Sequence, residues 1–450
     1  MRIDSAVRGR LGQAWREIRG PTGREFSWLS ASGQASALLS QVSVILIVRL
    51  LDEDVAGQIF FALALAATVL MILDPRLEDA IQRFVPVVRR SSGDTASFFW
   101  SLVALDAVIG VSVITLTGVC WAVGLLPVGD LLNPSYVFWA MAAGAISGAV
   151  GTIDAGFATT GNLSLLAKVR LITAAWNAVL GIVGLLIFGP LGFLVGSTIG
   201  SVCSLLVTAF VGRRLISPRS YSFSRFWHQR PAGLLRFTVK SSLATTLTSG
   251  GDNGVITVVG IFGGPTVVVF VKLAMAPGRF LLAVFSPIAA QLFPRLSELA
   301  AQHDRKAIAE LCSRTTKKVG LAVGFVTAIG VITMPVLFPL IYGPEYSAAV
   351  VAAMLFLVAS AIRASTGWSK VLALALGRPG VRLWEVGVEW GVLLLLTAVV
   401  SSLFGDPGTV AAALAMLAVL VAIASSMFWT WFSRSGRIAA KSGSSFTSQG

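Results

Sequence analysis

The chain has 450 residues, 55% hydrophobic and only 12% charged, with a mean hydropathy of +0.82. A soluble domain carries about twice that charged share, which excludes an ordinary water-soluble globular protein. The net charge of +14 is spread over many segments rather than gathered into one stripe with interleaved aromatics, which argues against nucleic acid as a partner.

A membrane-spanning helix needs roughly 20 mostly apolar residues. Six such segments are expected in the first half, at 27–51, 55–73, 98–126, 136–153, 171–188 and 192–211. Six more follow at 238–262, 267–293, 319–341, 348–376, 383–404 and 410–432. The connections alternate in character. Those at 52–54, 127–135, 189–191, 263–266, 342–347 and 405–409 contain no Lys or Arg. The others, with the two tails and with the fourth basic stretch taken as 212–240, hold 30 of the 35 bases. Basic connections stay in the cytoplasm, so the pattern places both termini there. The expected fold is an all-α membrane protein of about twelve transmembrane helices in two six-helix lobes. Its divisions are a basic tail at 1–26, an N-terminal lobe at 27–211, a cytoplasmic linker at 212–237, a C-terminal lobe at 238–432 and a tail at 433–450.

Within the first tail, Ile3, Val7, Leu11, Trp15 and Ile18 recur every three or four residues among arginines, the pattern of a helix lying in the membrane interface. In the linker, Phe223, Phe226 and Trp227 are candidate headgroup anchors. Gly192, Gly196 and Gly200 fall on one helix face and predict close packing inside a bundle.

Familiar enzyme signatures are missing. There is no phosphate-binding Walker loop, no HExxH zinc motif and no nucleophile elbow. Cys120, Cys203 and Cys312 make no metal-ligand spacing, and no cofactor or metal is expected. Asp52-Glu53-Asp54 has the D-x-D form of metal-dependent glycosyltransferases, but it sits in a very short outer connection and reads best as a hydrated turn.

The charges left at bilayer depth are the informative ones, because each costs about 2.5–3.5 kcal/mol on insertion scales. Five bases lie outside the cytoplasmic segments: Arg49, Lys272, Arg279, Arg363 and Lys370. Lys272 and Arg279 are seven residues apart and share a helix face, as do Arg363 and Lys370. The embedded acids are Asp106, Asp154, Asp252, Glu385 and Glu389. The bases are candidates for binding an anionic substrate. The acids are candidates for coupling a proton or sodium ion, or for neutralising the bases in structural pairs.

Three stretches carry a family resemblance: Val48-Arg49-Leu50-Leu51-Asp52-Glu53-Asp54-Val55-Ala56-Gly57; the segment 285–299, FSPIAAQLFPRLSEL; and Leu340-Ile341-Tyr342-Gly343-Pro344-Glu345-Tyr346, followed by Ala375-Leu376-Gly377-Arg378-Pro379. In these the chain resembles the polysaccharide flippases of the multidrug/oligosaccharidyl-lipid/polysaccharide exporter superfamily. The resemblance implies a V-shaped transporter in the bacterial cytoplasmic (inner) membrane, not an enzyme. It would carry a lipid-linked oligosaccharide diphosphate outward by alternating access, alongside membrane lipids and polysaccharide polymerase machinery. The related lipid II flippases carry arginines along the first helix. Here that helix has no charge between Ser27 and Val48, which favours a surface-polysaccharide repeat unit as cargo. A drug or small-metabolite exporter of the same fold, and a membrane glycosyltransferase or polymerase, are the competing expectations.

Overall fold

The computed structural model describes residues 21–91, 94–125, 131–216, 231, 233–249, 251–302 and 304–434. The expected interfacial helix of the first tail, the anchors Phe223, Phe226 and Trp227, and the last tail lie outside the described residues.

Among the described residues all regular structure is helical. The first half contains α1 (Pro21–Leu50), α2 (Glu53–Leu73), α3 (Leu77–Ser91), α4 (Thr95–Ala122), α5 (Pro134–Thr159) and α6 (Leu163–Leu215). The second half contains α7 (Leu234–Ser249), α8 (Gly251–Gly263), α9 (Pro265–Ala301), α10 (Arg305–Tyr342), α11 (Val350–Ser365), α12 (Ser369–Ala375), α13 (Pro379–Leu403) and α14 (Pro407–Arg434). A short 3₁₀ turn, Pro344–Ala349, leads into α11.

Ten helical stretches among the described residues are long and apolar enough to cross a bilayer. One of them, α6, runs 53 residues but reverses at Gly189, whose φ of 67° and ψ of −149° are not helical. It therefore holds the two expected spans 171–188 and 192–211. The expected span 238–262 is described as α7 and α8, on either side of Gly250, which lies outside the described residues. With α6 counted as two and α7 taken with α8, the described residues account for the twelve expected spans.

Gly189 followed by Pro190 makes the reversal possible. Glycine takes a left-handed backbone at no steric cost, and proline is preset for the first turn of a helix. The two arms of α6 then meet along the glycine face. A methyl group added at Gly184 or Gly192 would overlap the other's carbonyl, one at Gly196 would overlap the Leu180 carbonyl, and one at Gly200 would strike Asn177. Asn177 fastens the arms, donating from Nδ2 to Ser204 Oγ at 3.1 Å and accepting from Ser201 Oγ at 3.2 Å.

The chain divides into two compact units, one of residues 1–51 and 62–246, the other of residues 52–61 and 247–450. In the first unit, α3 occupies what the sequence presented as a basic cytoplasmic loop. Its charged face carries Glu78, Asp79 and Arg83, and its apolar face buries Leu77, Ile81, Phe84, Val85 and Val88 against Phe98, Phe99 and Leu102 of α4 and Ile153 and Phe157 of α5. In the second unit, Leu296 and Leu299 of α9 pack with Ile308 and Cys312 of α10, Trp368, Leu372 of α12, and Trp429 and Phe432 of α14. The first turns of α2 belong here too: a side chain at Gly57 would overlap the Pro265 carbonyl, and Phe61 lies against Gly260. Helix α14 is capped by Asp406, which accepts from the Thr409 hydroxyl and amide at 2.7 Å each; these bonds hold its carboxyl below the usual carboxylate range.

Because the neighbour at Gly196 is rigid backbone, Gly196→Leu is expected to destabilise the first unit by about 3 kcal/mol or more, the upper end of overpacking costs. Gly148 lies mid-helix with no atom within 4 Å of an added Cβ. Gly148→Ala should be neutral or stabilising by up to about 1 kcal/mol. Thermal unfolding of the two variants in detergent measures the contrast.

Candidate functional site

The second unit gathers most of the charged candidates around one cavity. Its walls come from α8, α9, α11, α12, α13 and α14. Two segments bring polar groups to it. At the first, α8 begins with Gly251 and Asp252, and the Trp390 ring of α13 lies so close over Gly251 that no side chain fits there. At the second, α11 ends at Ser365 and a turn through Thr366, Gly367 and Trp368 leads into α12, so that Thr366, Ser369 and Lys370 face the space. The cavity measures about 230 Å³. Arg363, Lys370, Arg382, Glu389 and Asp252 line it, with Leu282, Val386, Ala422 and Trp390 as its apolar walls. A smaller space of about 50 Å³ adjoins it and shares Asp252, Leu282, Arg363 and Trp390, with Arg279, Ser360 and Thr397 added.

The guanidinium groups are paired one to one. Arg279 Nε donates to Asp252 Oδ2 at 3.1 Å. Arg363 Nη2 donates to Glu389 Oε1 at 2.5 Å, and its guanidinium lies 5.6 Å from the centre of the Trp390 ring. Arg382 Nη1 donates to Glu385 Oε2 at 2.7 Å, while Ser425 Oγ donates to the other oxygen of Glu385 at 2.5 Å. The pairs are incompletely satisfied. Arg279 Nη2, Arg363 Nε and the Thr397 hydroxyl are buried with no hydrogen-bond partner. Lys370 has no carboxylate within ion-pair distance among the described residues, although Asp252 and Glu389 are near enough to act on it electrostatically. The cluster therefore presents one uncompensated ammonium and two spare guanidinium donors, a set that suits oxygens of an anion.

The remaining candidates lie elsewhere. Lys272 shares a face of α9 with Arg279 but does not line the cavity; its ammonium sits over the Phe60 ring, 4.8 Å from the centroid. Arg49 is exposed at the end of α1, in the first unit. Asp106 and Asp154 are buried in that unit too. Asp106 accepts from Thr152 Oγ1 at 2.5 Å, and Asp154 accepts from Arg170 Nε at 2.8 Å. At the turn between α1 and α2, Asp54 accepts from Gln58 Nε2 at 2.8 Å, and no group of three or more metal-ligating side chains exists among the described residues.

Arg382, Arg170 and Ser425 escaped the sequence reading. The two arginines counted with cytoplasmic connections, yet each reaches back to an embedded acid: Arg382 to Glu385, three residues on, and Arg170 to Asp154 of the preceding helix. The i to i+3 spacing of Arg382 and Glu385 was the available signal.

No family model matches the chain, and no curated protein matches it. Solved structures do. The chain superposes on the lipid II flippase MurJ in an inward closed conformation with a TM-score of 0.68, at 12% identity, covering 90% of this chain and 87% of that one. A MATE transporter in complex with MaL6 matches with a TM-score of 0.62 at 14% identity, covering 92% of this chain and 97% of that one. A transporter of the multidrug/oligosaccharidyl-lipid/polysaccharide superfamily from Pyrococcus furiosus, described as having a binding pocket of reverse polarity, matches with a TM-score of 0.54 at 15% identity, covering 92% and 97%. The protein is thus a multi-pass membrane protein with the fold that these solved structures share.

Removing one member of a buried ion pair typically costs about 3–5 kcal/mol, because the other charge is left bare. Glu385→Ala strands both Arg382 and Ser425 and is expected near the lower end of that range, since the Arg382 side chain keeps 21% exposure. The double variant Glu385→Leu/Arg382→Met should recover most of the loss. Thermal unfolding of the single and double variants in detergent checks it.

Proposed function

We propose that this protein is a flippase for an anionic lipid-linked oligosaccharide, moving a polyprenyl-diphosphate-linked repeat unit across the bacterial inner membrane for surface-polysaccharide synthesis. The observation that carries the reading is the excess of positive charge in the second unit's cavity: Lys370 without a carboxylate, and unused donors on Arg279 and Arg363. A base held at bilayer depth without a partner is costly, so a bound anion is the economical explanation. The exporter fold supplies alternating access. The sugar and diphosphate would travel through the protein while the polyprenyl tail stays in lipid.

Arg363, Lys370 and Arg279 hold the diphosphate in this reading, with Arg382 added to them; Lys272 and Arg49 mark stations outside the cavity. Asp252, Glu385 and Glu389 are the coupling acids nearest the substrate, and Asp106 and Asp154 their candidates in the first unit. An inside-negative potential assists outward movement of negative charge by about 2.3 kcal/mol per charge per 100 mV. The likeness to MATE transporters favours one competing reading, export of drugs or small metabolites. A cationic drug would meet Lys370, Arg363 and Arg382 unfavourably.

Deleting the gene should trap complete lipid-linked repeat units on the inner leaflet and remove surface polysaccharide. Complementation with Lys370→Ala or Arg363→Gln should restore less than about a tenth of the polymer at equal protein level, the loss expected for a charge-assisted contact of about 1.5–3 kcal/mol. Unchanged polysaccharide in the deletion, with new sensitivity to cationic drugs, would move the assignment to the exporter reading.

A further inference from the structure

The one-to-one pairing in the second unit poses a problem for any anion that enters. Four bases face the cavity region, Arg279 and Arg363 from α9 and α11, Lys370 from α12 and Arg382 from α13. Three acids face them, Asp252 from α8 and Glu385 and Glu389 from α13; α14 contributes the Ser425 hydroxyl and no charge. Four bases against three acids leave one positive charge. A diphosphate esterified at both ends carries two negative charges. Lys370 balances one of them, and the second must compete with a carboxylate for a guanidinium.

Glu389 is the acid positioned to give way. Glu385 is held on both oxygens, by Arg382 and Ser425, whereas Glu389 accepts one bond from a base, that of Arg363, and its carboxyl lies beside the like-charged carboxyl of Glu385. Arg363 also has its Nε donor free and lines both cavities, so an incoming phosphoryl oxygen finds one vacant donor beside the one Glu389 occupies. Once displaced, the Glu389 carboxylate faces Lys370, which the phosphate has taken, and Arg382, which Glu385 holds, beside the Glu385 carboxylate and the apolar walls Val386, Leu282 and Trp390. A bare carboxylate is strongly disfavoured in such surroundings.

We infer that anion and cation bind this unit together: a diphosphate takes the Arg363 guanidinium from Glu389, and the freed Glu389 carboxylate takes up one proton or one sodium ion. This rests on the flippase reading above and deepens it. The charge count closes, since the net charge of the cluster with diphosphate and one cation bound is zero. The linkage is positive. The cation tightens anion binding and the anion tightens cation binding by the same factor, as reciprocity of coupled sites requires. A carrier built this way loads its two ligands on one side as partners, where an antiporter would load them as competitors.

The test uses the purified full chain in detergent and P1,P2-dimethyl diphosphate, a small diester with two negative charges. Calorimetric titration at pH 7 in two buffers of different ionisation enthalpy gives the protons taken up per anion. Repeating it with sodium chloride replaced by N-methylglucamine chloride gives the sodium dependence. The expected result is uptake of about one proton per anion, or a Kd that tightens about tenfold per tenfold rise in sodium. The first outcome identifies the cation as a proton, the second as sodium. In Glu389→Gln, which keeps the shape and removes the charge, either dependence should vanish and Kd should become insensitive to pH and sodium. Asp252→Asn should retain the dependence. Anion binding by the wild-type protein with neither proton uptake nor sodium dependence overturns the linkage while leaving the flippase reading standing. No anion binding by a folded wild-type protein overturns both. Loss of the linkage in Asp252→Asn but not in Glu389→Gln overturns the assignment to Glu389.

Discussion

Charge at bilayer depth must be neutralised, and the second unit is arranged around that constraint. Arg363 with Glu389, Arg279 with Asp252, and Arg382 with Glu385 are three solutions of one electrostatic problem, set within a few turns of each other. Buried ion pairs of this kind add little net stability, because desolvation of both partners offsets their attraction. In the proposed flippase their worth lies in keeping ionised side chains in place where an anion would meet them. The turn between α11 and α12 follows from the same requirement. Polar backbone at a break is tolerated in a membrane only where it faces protein or water, and here the turn through Thr366 opens on the charged cavity.

The twelve crossings were legible because hydropathy is a strong, one-dimensional signal, and the alternation of basic connections checked it independently. What the sequence concealed was the role of residues at helix ends. Arg382 reads as one more cytoplasmic base, and only folding shows its long side chain turned back to Glu385. Helix α3 was concealed differently. Leu77, Ile81, Phe84 and Val88 recur at helical spacing, but charge counting put the whole segment into a loop before its period was examined.

The pairing of bases with acids was the hardest feature to foresee. Sequence offered two uses for Arg279 and Arg363, binding an anion or fixing helices by ion pairs, and spacing alone does not choose. The structure holds both at once: each guanidinium bonds a carboxylate and keeps a buried donor in reserve. Lys370, the base without such a bond among the described residues, had by its spacing shared a helix face with Arg363; the turn at 366–368 puts the two on different helices instead.

The first turns of α2 bear on how such a molecule can be divided. Asp52–Phe61 belongs to the second unit although it precedes most of the first in sequence. Phe60 covers Lys272, Phe61 lies against Gly260, and Gly57 abuts Pro265. A chain cut within the 212–237 connection would separate two pieces of similar length, yet the C-terminal piece would lack ten residues of its own packing and expose the Lys272 ammonium. The connection that looks most dispensable is therefore a poor place to split the gene. The second unit is completed by one segment that precedes most of the first in sequence, so neither unit is a continuous stretch of chain.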